Sequence, residues 1–260
     1  MKVHFKCFQC ATNVDKSDID TTVYSFPVGN EYIYEVKCNK NHITLMFLQN
    51  SKFEILFESG IHAIKDDYYR EAVFNFSVAL ERFYEYSILF FLSDRIGFAM
   101  NAEELNGYIK MWSQISKQSE RQIGAFYSLY FNEFNKIPPI FSNNWLNENT
   151  NIEIKKNGKK IDPIQFRNLV IHQGHVPSRD EAVSFGEAVH RYIHSLLNEF
   201  WNKDESRINR VIHIEKTLHK IKVNKQGSEA HTGINTFMAA SQPNYVKKDK
   251  SLFDLLNIYP

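Results

Sequence analysis

Apolar residues recur at three- and four-residue steps from Leu45 to about Leu92. Ala72, Phe76, Ala79, Leu80, Phe83 and Ser87 form one stripe, with Arg70-Glu71, Glu81-Arg82 and Glu85 set between them. That period belongs to a long helix with one buried face. A shorter helix is expected over Lys52–Lys65, with Asp66-Asp67 as the break. Two more are expected within Ala102–Ser116 and Ser119–Lys136, and Pro138-Pro139 closes that region. Asn143–Lys160 is polar and Asn-rich and reads as a loop. Its Lys155-Lys156-Asn157-Gly158-Lys159-Lys160 run is an Asn-Gly turn flanked by four lysines.

The next helices are marked at their ends. Asp162 suits an N-cap and Pro163 the first helical position, because proline lacks the N–H that would go unpaired there. Gly174 is a natural stop, with Pro177 just beyond. Ser178-Arg179-Asp180-Glu181 has capping-box spacing and opens a long helix over about residues 179–201. A further helix is expected over Arg207–Ile221. The last forty residues carry Gly227, Gly233, Pro243 and a lysine cluster at 247–250. They read as a mostly extended tail, dispensable for folding, that ends in a short apolar patch, Leu252-Phe253-Asp254-Leu255-Leu256, which docks on its own domain, on a sister chain or on a partner.

The first forty-odd residues follow a different pattern. Val23–Val28 and Glu31–Val36 are β-rich, and Gly29-Asn30 between them suits a hairpin turn. All three cysteines lie here, as Cys7-x-x-Cys10 and Cys38-x-x-x-His42. Two close pairs of thiolate and imidazole donors are what a tetrahedral zinc ion takes, and a hairpin between them would bring the pairs together. His4 is a rival for the fourth ligand. A closed four-ligand site is structural, and so short a segment needs metal to supply folding energy.

This divides the 260 residues into a zinc-ribbon-like module (1–45), a helical domain (46–221) and the tail (222–260). The fold class is mainly α with a small N-terminal β module. A net charge of +1 excludes a generally basic nucleic-acid coat, though not a local basic site. Aromatic residues, at 14%, are enough to build a core. No apolar run approaches the ~20 residues of a membrane span. Three crowded cysteines and a polar N-terminus point to a reducing, cytoplasmic setting.

The chemistry-bearing run is Arg167-Asn168-Leu169-Val170-Ile171-His172. Asn168 and His172 are four apart and share a helix face. Arg167 lies five before the histidine, roughly 140° round the helix, so it converges only through its long side chain or a distorted helix end. His172 sits in the last turn, where the helix dipole favours its charged form. Leu169, Val170 and Ile171 anchor the segment. The Phe/Tyr stripe from Tyr68 to Phe91 reads as core or dimer interface, and Glu187, His190 and His194, which share one helix face, read as a solvated face.

An Arg-polar-x-x-x-His run near the end of one helix, followed by a long final helix, resembles the HEPN superfamily over about Lys52–Trp201. The resemblance implies a four- or five-helix bundle and a metal-independent endoribonuclease of the toxin or phage-defence kind. It implies Arg167, Asn168 and His172 as the catalytic positions. It also implies an acidic or polar residue on an earlier helix, for which Glu81 is the candidate. A homodimer whose two motifs face one cleft is implied too, and a toxic nuclease should need a restraining antitoxin or regulatory protein. Lys155, Lys156, Lys159 and Lys160 are candidate contacts to the RNA backbone. The competing function class is a non-catalytic, HEPN-like dimeric binding protein that uses the zinc module and tail to recruit a partner.

Overall fold

The computed structural model describes residues 1–12, 19–30, 32–96, 102–222, 228–234, 236–238, 251–253 and 256. The chain forms two compact units, Met1–Asn50 with Ile212–Asn235, and Ser51–Val211 with Thr236–Pro260. The described residues are mainly helical with small sheets, as the alternation of patterns implies. No helix among them is long and apolar enough to cross a membrane.

The first unit holds β1 (Lys2–Phe5), a short α1 (Phe8–Thr12), β2 (Tyr24–Pro27), β3 (Ile33–Lys37), β4 (Ile43–Leu48) and β7 (Ser228–Thr232). The expected hairpin between the two β-rich runs does not form. β2 pairs with β1, antiparallel, Val3 opposite Phe26. β3 pairs instead with β4, Glu35 opposite Leu45. The backbone agrees: Gly29 does not take the left-handed conformation that a two-residue hairpin turn demands, whereas Tyr32 does (φ 55°). Leu45–Leu48 is accordingly strand, not the start of the helical region.

β7 runs parallel to β4, with Met46 opposite Ala230. The segment from Lys222 onward is therefore not a free extended tail, because five of its residues complete the β3-β4-β7 sheet. The last turns of α8 (Arg179–Lys222) belong to the same unit, where the Lys220 ammonium lies 5.2 Å from the centre of the Phe47 ring and His219 meets Tyr32 edge-on.

The second unit is built round α3 (Tyr69–Ile96), which packs against α2 (Lys52–Lys65), α5 (Ser119–Phe134) and α7 (Pro163–His172). α4 is Ala102–Ile115. Phe83 and Phe90 stack on Phe200 of α8, the second pair at 4.7 Å between ring centres. Most of the Tyr68–Phe91 stripe is core, as expected, but Tyr68 and Phe74 stand more than half exposed.

The end signals in the sequence do what their chemistry requires. Asp162 accepts from the Ile164 N–H, Pro163 opens α7, and Gly174 takes φ 74° just beyond it. Ser178 and Glu181 exchange the two capping-box bonds at 2.8 and 3.2 Å. Helix α8 is broken at Asp204 (φ −164°), whose carboxylate accepts from the Ser206 N–H, so the two helices expected over 179–201 and 207–221 are joined by one kinked residue. Beyond the kink, Arg207 and Arg210 grip Asp94, and Arg207 also reaches Glu133.

Asn143–Lys160 is not a plain loop. It holds α6 (Asn143–Asn149), capped by Ser142, and a hairpin of β5 (Lys155–Lys156) and β6 (Lys159–Lys160). Asn157 and Gly158 both have positive φ, the turn that an Asn-Gly pair favours.

Of the places open to the apolar patch, it takes its own domain. Phe237 is buried and its N–H donates to Glu58, 2.8 Å away. Leu252 is fully buried, and its N–H donates to the carboxylate of Glu187, itself 3% exposed. Leu256 is buried as well. The lysine cluster at 247–250 and Leu255 lie outside the described residues.

Candidate functional site

The N-terminal unit brings Cys7, Cys10, Cys38 and His42 together, their donor atoms all within 4.8 Å of one another. The three cysteines are buried and the histidine is partly so. Cys10 Sγ lies 3.9 Å from Cys38 Sγ and 3.4 Å from His42 Nδ1, and Cys7 Sγ lies 3.8 Å from the same nitrogen. A tetrahedral ion with metal–sulfur bonds of about 2.3 Å needs edges of about 3.8 Å between sulfurs and about 3.6 Å between sulfur and nitrogen. The group can therefore hold a metal ion with little movement. His4, the rival ligand, is elsewhere: its Nδ1 is bonded to Ser25 Oγ at 2.8 Å.

The turns around these ligands are tied down. The Cys38 N–H donates to the His42 carbonyl, and the Lys40 N–H donates to Cys38 Sγ at 3.3 Å. Asp20 braces the second pair from outside, its Oδ2 accepting from the Tyr24 hydroxyl at 2.6 Å and from the Asn39 N–H at 3.0 Å. Ile19 and Tyr24 pack over the cysteine cluster. Asp20 is a residue the sequence reading missed. It is the third aspartate in the run 15–20, and an acid four residues before an aromatic is too common to single out.

The second constellation lies where α7 crosses α3. Arg167, partly exposed, donates from Nη2 to Glu81 Oε1 at 2.9 Å and from Nη1 to Asn168 Oδ1 at 3.1 Å. Glu81 and Arg167 are each about one-quarter exposed, 26% and 28%. Asn168 is thus engaged by Arg167 through its carbonyl oxygen. His172 lies in the last turn of α7, exposed, with no hydrogen-bond partner among the described residues. Arg70 points Nε at the Val170 carbonyl from 3.5 Å, closing the same helix end. Arg167 is thus held by Glu81 and Asn168, while His172 stands exposed in the last turn of the same helix with no contact to Arg167 among the described residues.

The neighbouring His175 bonds Glu181, the capping-box acid, at 3.3 Å and meets the Phe166 ring edge-on. The lysines of the β5–β6 hairpin divide in two. Lys155 and Lys160 share Glu153, at 3.1 and 3.4 Å, while Lys156 and Lys159 face each other across the hairpin with no carboxylate partner among the described residues.

Glu187 and His190 form no solvated face, since both are buried. Glu187 holds Arg191 and the Leu252 backbone. His190 lies against the rings of Phe57 and Phe237, and burial, with the charges of His194 and Arg191, pushes its pKa down to about 3.

Compared with family models, with curated proteins and with solved structures, the chain matches none.

Proposed function

We propose that the chain is a metal-independent endoribonuclease of HEPN type, a toxin or phage-defence effector. The observation that supports this best is the Arg167–Glu81 contact. The resemblance calls for an acidic residue on an earlier helix beside the motif. Glu81 is the residue singled out for that position, and Arg167 reaches it across 86 residues of sequence.

The chemistry follows from the side chains. RNA carries its nucleophile, the 2′-OH, so the protein needs to move protons and meet charge. The exposed imidazole of His172 takes the proton from the 2′-OH or gives one to the leaving 5′-oxygen, since imidazole exchanges protons near neutral pH. The guanidinium of Arg167 meets the charge that builds on the phosphorane oxygens. Glu81 and Asn168 hold that guanidinium in place. The products are a 2′,3′-cyclic phosphate and a free 5′-hydroxyl. Two chains pair so that two motifs share one cleft, Lys156 and Lys159 follow the backbone of the strand, and a separate protein restrains the activity.

Zinc is the ion we assign to Cys7, Cys10, Cys38 and His42. Three thiolates and an imidazole are soft or borderline donors and fill a tetrahedral shell, so the bound ion supplies folding energy and has no position open to substrate.

One observation favours a silent, binding-only bundle: Arg167 already gives two donors to Glu81 and Asn168. Incubation of the purified protein with total RNA and with tRNA, without added metal, separates the two. Cleavage with cyclic-phosphate ends, lost by a factor on the order of 10²–10⁴ in His172→Ala, is the expected result. Intact RNA, or cleavage unchanged in His172→Ala, overturns the nuclease reading.

A further inference from the structure

We propose that the face of α3 beside α7 is a subsite for one unpaired RNA nucleotide, with Phe74 stacking its base and Arg70 meeting an adjoining phosphate. This deepens the ribonuclease reading and rests on it.

The argument starts from helix geometry. Arg70, Phe74 and Glu81 fall within about 40° of one another round α3. Both ends of that stripe reach α7: Arg70 toward the Val170 carbonyl and Glu81 to the Arg167 guanidinium. Phe74 lies between, about 6 Å along the axis from Arg70 and about 10 Å from Glu81 at the usual rise per residue. Its neighbours Ala72, Val73 and Phe76 are completely buried, whereas Phe74 is 51% exposed. No other aromatic ring among the described residues lies against it.

A half-exposed, unpartnered phenyl ring on the stripe that carries the Arg167–Glu81 pair offers one flat apolar face. Cleavage through the 2′-OH requires the nucleophile, phosphorus and leaving oxygen to come into line, which a splayed, single-stranded nucleotide can do. Such nucleotides are held by stacking their bases on exposed aromatic side chains, whatever the base. Arg70, one turn before Phe74, is the cation that meets a phosphate here. The Nη atoms of Arg70 have no carboxylate partner among the described residues, and exposed His172 follows on α7. Of the acids on this stretch, Asp67 accepts from the Tyr69 hydroxyl, and Glu71 stands exposed one turn before Phe74. A second copy of the chain is the other occupant such a face admits, and the experiment separates it.

The test uses full-length chain carrying His172→Ala, so that RNA stays whole, and a single-stranded RNA ten-mer with 2-aminopurine placed at each position in turn. We expect fluorescence quenching at one position on binding. Phe74→Ala should abolish it and weaken binding about tenfold, the size of one lost base–aromatic stack, while Phe74→Trp keeps both. Arg70→Gln should lower the slope of log affinity against log salt by about 0.7, one phosphate contact to a single strand. RNA binding and quenching unchanged in Phe74→Ala would overturn the subsite and leave the nuclease reading standing. So would a loss of dimer mass by light scattering in Phe74→Ala with RNA binding intact, which would make the face a contact between copies. No binding of the ten-mer also overturns it. Failure of the parent reading shows separately, as absence of cleavage by the wild-type chain.

Discussion

Gly186 of α8 lies against the ring of Phe76 of α3 so closely that a Cβ there would stand 2.6 Å from Cε2. Gly60 of α2 meets the opposite side of the same ring, where a Cβ would stand 2.5 Å from Cε1. Three helices therefore close on one phenyl ring, and two of them do so only because they carry no side chain at the contact. Gly186→Ala should destabilise the helical unit by about 1–3 kcal/mol, the usual cost of overpacking a filled core. Chemical denaturation followed by helical circular dichroism measures it. An unchanged midpoint would show that Phe76 has room to move.

The metal centre yields an independent expectation. Protein purified without chelator should carry one zinc per chain, read by elemental analysis. Cys7→Ser with Cys10→Ser should release it and disorder the first unit, because metal binding and folding are one equilibrium in so small a module. The helical signal of the second unit should persist. Full zinc occupancy in the double variant would remove these ligands from the site.

What the sequence discloses and what it hides divide along a physical line. The ends of α7 and α8 are legible because capping is local: Asp162, Pro163, Gly174, Ser178 and Glu181 act within four residues of themselves. The four metal-capable residues are legible because their spacing is chemical. Strand partners are not, because pairing is decided by tertiary neighbours. Nothing in Ser228–Thr232 announces a strand parallel to β4; it has one buried residue, Ala230. Helix α6 is hidden by its asparagines, although Trp145 and Leu146 supply its buried side. The Arg167–Glu81 contact was open to inference only through the resemblance, since no local rule links residues so far apart.

His190 gives the helical unit an acid sensitivity. In the unfolded chain its imidazole titrates near the ordinary value of about 6.5. In the fold, burial and the charges of His194 and Arg191 hold it neutral down to about pH 3. Between those values the unfolded chain binds a proton that the folded chain refuses. Stability should therefore fall as pH drops from about 6.5 toward 3, by at most about 1.4 kcal/mol per pH unit from this group, and be indifferent to it above 6.5. Urea titrations across pH 4–8 should show this slope reduced in His190→Leu. Parallel pH profiles for the two proteins would refute it.

The C-terminal segment should matter to both units, in different ways. Removing residues 251–260 exposes the pocket of Leu252 and leaves Glu187 without the backbone N–H it accepts. A loss of about 2–5 kcal/mol is expected, as for a large buried aliphatic side chain. Ala230→Pro instead strikes β7, removing a donor from the sheet that contains β3 and β4. It should loosen the N-terminal unit and leave the helical unit's unfolding midpoint in place. Equal stability of the truncated and full chains would return the segment to a dispensable role.

Glu81 distinguishes a positioned arginine from a merely paired one. The Glu81–Arg167 pair is about one-quarter exposed on each side, so breaking it should cost the fold no more than about 1 kcal/mol. If Arg167 meets charge on a cleaved phosphate, its fork must point the right way before substrate arrives. Glu81→Gln keeps the shape and one acceptor, and should lower kcat several-fold while KM for RNA stays near its original value. Glu81→Ala removes the acceptor altogether and should lower kcat further, toward the loss seen in Arg167→Ala. Arg167→Lys should not restore activity, because a single ammonium cannot reach Glu81, Asn168 and a phosphate oxygen as the planar fork does. A structural pair predicts a different set of results: reduced stability in the three variants that remove a charge and little change in Arg167→Lys, with kcat untouched in Glu81→Gln. Steady-state cleavage of a short RNA beside melting curves of the same preparations tells the two apart.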